Sequence, residues 1–102
     1  MRYGAQVSYM RVVFDLGGAG GQAAGSPTVA VSFTDPKTML VTFTGAQGAG
    51  SWRAPPTGTV ISSATLLSST SQRSVYRFDL THAVTTTGFF LAAPTRFVLD
   101  LH

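Results

Sequence analysis

The stretch Arg11-Val12-Val13-Phe14-Asp15-Leu16 returns later in the chain as Val75-Tyr76-Arg77-Phe78-Asp79-Leu80. A second phrase does the same. Pro36-Lys37-Thr38-Met39-Leu40-Val41-Thr42-Phe43 comes back as Pro94-Thr95-Arg96-Phe97-Val98-Leu99-Asp100-Leu101. The two phrases keep the same order in both halves, so one supersecondary unit is used twice. Each phrase alternates. Met10, Val12, Phe14 and Leu16 fall on one face, while Arg11, Val13 and Asp15 fall on the other. A period of two over this length is a half-buried strand. Each half is too short to bury its own apolar face, so the halves must share one core.

Working outward, Thr28 to Phe33 alternates with Val29, Val31 and Phe33 expected inward. Thr34-Asp35-Pro36-Lys37 is a turn, because proline presets φ and aspartate accepts turn geometry. Met39, Val41 and Phe43 resume the inward set, which makes a hairpin. In the second half, strands are expected over 60–67, 74–80 and 84–91, with Gly88 marking a bulge or a close approach. A last strand opens at Pro94, with Phe97, Leu99 and Leu101 on one face and Arg96, Val98 and Asp100 on the other. By symmetry the first half should begin with a strand over 3–8. Glycine-rich 17–27 reads as a loop, without the Lys-Ser/Thr of a phosphate-cradling loop. The prediction is a single domain over 1–102, all-β. It is a pseudo-twofold β-sandwich of two sheets with about eight strands from two repeats, 3–44 and 59–102, joined by a linker over 45–58.

Composition limits the chemistry. The chain of 102 residues has no cysteine, no glutamate, four aspartates and two histidines. Disulfides and thiolate metal sites are ruled out. His82 and His102 have no partner at a metal-ligand spacing, and no nucleophile elbow is present. No catalytic residue, metal site or cofactor is expected. Asp15 shares its face with Arg11, and Asp79 shares its face with Arg77, so an exposed ion pair or a turn hydrogen bond is the expected role of these carboxylates. Seven basic residues give a net charge of +3. They are dispersed rather than clustered, unlike the basic patch of a nucleic-acid binder, so no nucleic-acid partner is expected. No apolar run reaches the roughly 18 residues of a membrane span.

The repeated Arg11–Leu16 phrase, closed by Pro94-Thr95-Arg96-Phe97-Val98-Leu99-Asp100-Leu101, resembles the AMIN domain. That family comprises the non-catalytic N-terminal modules of bacterial N-acetylmuramoyl-L-alanine amidases, and such modules also occur in type IV pilus secretins and other envelope proteins. In the first repeat the opening phrase fits fully and the closing phrase loosely. In the second repeat the reverse holds, because Tyr76-Arg77 interrupts the opening phrase. The resemblance implies a symmetric two-sheet sandwich, a peptidoglycan ligand, and a location in the periplasm or cell envelope. It also implies a signal peptide outside this chain and a zinc amidase domain downstream. The expected ligand-binding residues are Arg11, Arg77 and Arg96, which alternate outward on strands, and Trp52 with Arg53 in the linker. Rings stack on sugar faces, and guanidinium groups pair with the carboxylates of the peptide stem. The alternative is a docking module for other envelope proteins that uses its sheet edges.

Overall fold

The computed structural model describes residues 1–16, 28–45, 52–70, 73–91 and 96–102. The described residues form eight strands: β1 (Arg2–Ala5), β2 (Met10–Asp15), β3 (Thr28–Asp35), β4 (Thr38–Thr44), β5 (Ile61–Ser69), β6 (Arg73–Leu80), β7 (Thr86–Leu91) and β8 (Arg96–Leu101). They form two four-stranded antiparallel sheets. One has the order β1-β2-β8-β7 and the other β3-β4-β6-β5. This is the expected all-β sandwich with its pseudo-twofold. Exchanging β1–β4 with β5–β8 converts one sheet order into the other. Neither sheet belongs to one repeat, because each takes one hairpin from each half. The register obeys the same exchange. Arg11 pairs with Asp100, and its counterpart Val75 pairs with Thr42, the counterpart of Asp100.

Period-two alternation builds the core. Val12, Phe14, Leu16, Met39, Val41, Phe43, Tyr76 and Phe78 are each 0–1% exposed. Phe14 sits at the centre of an aromatic cluster, with ring centroids 4.8 Å from Phe43, 5.1 Å from Tyr76 and 6.5 Å from Phe97. Rings at these separations add to the stabilisation that burial alone provides. Gly88 is a close approach and not a bulge. It lies opposite Leu99 in an unbroken ladder, and an added Cβ would fall 2.4 Å from the Phe97 ring. The 34–37 turn forms as expected. The Asp35 carboxylate accepts the Lys37 N–H (2.8 Å) and the Thr38 hydroxyl (2.9 Å). Those bonds hold the Asp35 carboxyl below its ordinary range, the Lys37 contact first.

Some expectations need correcting. Phe33, expected inward, is 41% exposed, because β3 is an edge strand with a neighbour on one side only. The first strand is shorter than 3–8. Residues beyond Ala5 turn, closed by the Gln6 N–H donating to the Tyr9 carbonyl at 2.9 Å. The strand expected over 84–91 begins at Thr86, and that over 60–67 runs over Ile61–Ser69. Val98 and Asp100, on the outward face of β8, are nonetheless buried at 2% and 7% exposure. The 17–27 loop, residues 46–51 of the 45–58 linker, and the start of the last strand at Pro94 lie outside the described residues.

Candidate functional site on the outer face of one sheet

Directly paired residues project to the same side of a sheet. The ladders therefore place Arg11 with Asp100, Val13 with Val98, and Asp15 with Arg96 on the outer face of the β1-β2-β8-β7 sheet. From β7, Thr87 stands beside Asp100, Phe89 beside Val98 and Leu91 beside Arg96. Arg11 is the centre of this face. Its Nε and Nη2 donate to the two oxygens of Asp100 at 2.8 and 3.0 Å. Its Cζ lies 5.6 Å from the Tyr9 ring centroid and 5.7 Å from that of Phe89. The Tyr9 ring is in turn 5.3 Å from the His102 ring.

This geometry fixes the guanidinium. Its side chain remains 36% exposed, while that of Asp100 is only 10% exposed. The hydrogen bonds from Arg11 hold the Asp100 carboxyl below its ordinary range, so it stays an anion. Of the five guanidinium N–H donors, two are directed at Asp100 and three remain for a ligand. The flanking rings add cation–π contacts.

The opposite sheet repeats the frame but not the site. The counterpart of the Arg11–Asp100 pair is Val75–Thr42, and Phe89 corresponds to Ser32 beside Leu40. The outer face there is mostly threonine, serine and small apolar side chains. Arg77 projects from it and is bound to Asp79, with Nε and Nη2 at 3.2 and 3.0 Å from Oδ1. Ser63 donates to the other Asp79 oxygen at 2.6 Å, and this bond is the larger cause of its lowered carboxyl pKa.

The residues expected from the sequence are therefore divided. Arg11 and Arg96 share one outer face, and Arg77 lies on the other sheet. Trp52 and Arg53 lie on a third side, where they tie two edge strands together. The Trp52 indole N–H donates to the Ala64 carbonyl of β5 at 2.8 Å, and the Tyr3 hydroxyl of β1 donates to the Arg53 carbonyl at 2.6 Å. Trp52 remains half exposed. The Arg77–Asp79 pair forms as expected. Asp15 instead turns to Arg2, at 3.0 Å, because Arg11 has a carboxylate directly across the ladder. Arg77 has only Leu40 and Thr65 across from it, so it uses Asp79 two residues along its own strand.

Sequence reasoning missed Tyr9, Phe89 and Asp100 as parts of the Arg11 site. The available signal was the departure of the second repeat from the first. A position that carries arginine in one half and valine in the other is not held by the shared frame.

Among the described residues no group of three or more His or Asp side chains is gathered for a metal ion. No helix there is long and apolar enough to cross a membrane. The chain matches none of the family models, curated proteins or solved structures compared with it.

Proposed function

We propose that this domain is a non-catalytic peptidoglycan-binding module that targets a bacterial envelope protein, most simply an N-acetylmuramoyl-L-alanine amidase, to the cell wall. The observation that carries the reading is Arg11, oriented by Asp100 and flanked by Tyr9 and Phe89 on an open sheet face. A guanidinium fixed in this way loses little freedom on meeting a stem-peptide carboxylate. The resemblance to the AMIN domain and the symmetric two-sheet frame support the same reading, which would place the domain in the periplasm or cell envelope.

The test is co-sedimentation with purified sacculi at low salt and at about 0.5 M salt, where the Debye length falls well below 10 Å. Wild-type protein is expected in the pellet at both salts, with Arg11→Ala largely in the supernatant and Arg77→Ala unchanged. Equal retention of Arg11→Ala would remove the Arg11 face from the reading.

A second reading, docking to another envelope protein through a sheet edge, is favoured by β7. This edge strand carries no charge and no proline, and its Phe89, Phe90 and Leu91 are 37–44% exposed. Such edges accept a further strand. Under that reading Phe90→Lys would abolish partner binding, and the wild-type protein would stay in the supernatant with sacculi.

A further inference from the structure

One end of the sandwich holds a cavity of about 280 Å³. It forms where the β1–β2 turn, the segment before β5, the segment after β6 and the end of β8 meet. Its floor is apolar. Met10 and Leu101 are 4% and 2% exposed, and Val60 and Val84 pack against the core. Its rim carries Gln6, Ser8, Tyr9, His82 and His102. Among the described residues, no Lys, Arg or Asp lines it.

We propose that this end cavity is a saccharide subsite that takes one N-acetylated hexose ring. The proposal deepens the peptidoglycan reading and rests on it. A pyranose has an apolar C–H face and an edge of hydroxyl and acetamido groups. The cavity is its complement, with an apolar floor and ring wall below a rim of amide, hydroxyl and imidazole groups. The described lining offers no Lys, Arg or Asp to pair with a charged group, which suits a ligand ring that carries none. Small-molecule pockets span about 300–1,000 Å³, so this volume admits one ring and not an oligomer.

Several backbone groups around the cavity are already committed. The Thr81 N–H donates to the Val60 carbonyl at 2.8 Å, and Thr85 and His102 exchange both backbone bonds at 3.2 and 2.8 Å. The rim side chains supply the remaining polar contacts. Tyr9 belongs to both places, as a cavity wall and as a ring beside Arg11. A wall strand crossing Tyr9 would present a sugar to the cavity and an acidic stem to Arg11.

The experiment is an NMR titration of the labelled chain with the trimer of N-acetylglucosamine, run beside sacculus co-sedimentation. Shifts are expected at the amides of residues 6–9, 58–60 and 82–84. Tyr9→Ala should weaken binding about tenfold, the size of one lost ring contact. Tyr9→Phe, which keeps the ring, should bind like wild type, and His102→Ala should weaken binding without disturbing the fold. Absence of shifts, or shifts mapping only to the β3-β4-β6-β5 sheet, overturns the subsite. So does equal binding by Tyr9→Ala. If sacculi still retain the protein in any of those cases, the subsite fails while the wall-binding reading stands. If sacculi also fail to retain it, both fall.

Discussion

Replacing Gly88 with alanine tests how tightly the two sheets enclose Phe97. The new Cβ would lie 2.4 Å from Phe97 Cζ and 3.0 Å from Cε1. The ring has little room to retreat. It is 4% exposed, and its centroid lies 5.0 Å from Phe90, 5.9 Å from Phe43 and 6.5 Å from Phe14. Glycine to alanine in an extended strand gains about 0.4–1 kcal/mol by restricting the unfolded chain. Overpacking a closed core costs about 1–3 kcal/mol. The balance is a loss of about 1–2 kcal/mol. For a domain of this length, each kcal/mol lowers Tm by about 4–8 °C. Thermal unfolding followed by circular dichroism should therefore show Gly88→Ala melting roughly 5–15 °C below wild type. The Gly88→Ala/Phe97→Leu double variant should lose less than the sum of the single losses, because the smaller side chain vacates the contested space. An unchanged or raised Tm for Gly88→Ala would refute the close approach.

Three further outcomes are expected. Trp52→Phe removes the indole N–H bond to the Ala64 carbonyl and should cost about 1 kcal/mol, the net worth of one hydrogen bond, read by urea unfolding. Asp100, Asp79 and Asp35 all have lowered carboxyl pKa values when folded. Their stabilisation is complete above the unfolded value of about 3.9 and fades as pH falls through the lower folded values. Tm should therefore hold level near neutrality and fall below about pH 4, with a shallower acid slope in Asp100→Asn. Burial pushes the Tyr3 and Tyr76 phenols up to about 12. That contribution is complete below the unfolded value of about 10 and is lost as pH rises through the folded one. Phenolate absorbance from these two should thus appear together with loss of the strand signal above pH 10, and Tyr3→Phe should carry its share away.

The inward faces of β2, β4, β6 and β8 were legible because their alternation is long and strict and because the repeat states it twice. Phe33 was misread because alternation assigns a face but not the number of neighbouring strands. The distribution of each repeat between the two sheets is equally silent, since hairpins paired within or between sheets carry the same period. The site was half legible. Arg11 could be identified as an outward arginine, but its partner Asp100 lies 89 residues away, and only the register of β2 against β8 brings them together. Tyr9 precedes β2 in a turn, and Phe89 lies on a third strand. Neither has a local signal that distinguishes it from an ordinary surface ring.

The sharing of each sheet between the two halves has a consequence for the order of events during synthesis. All strands of the β3-β4-β6-β5 sheet have been made once Leu80 is made, whereas β2 must wait for β8, with Met10 held until Leu101 appears. Until then one wall of the aromatic core is missing, and Phe14 has nothing to close it from its own sheet. Topologies dominated by such distant pairings fold in milliseconds to seconds. A nascent chain of this kind keeps one flank of its aromatic core uncovered until its last strand is complete, and exposed apolar surface of that sort is where partly made chains associate wrongly.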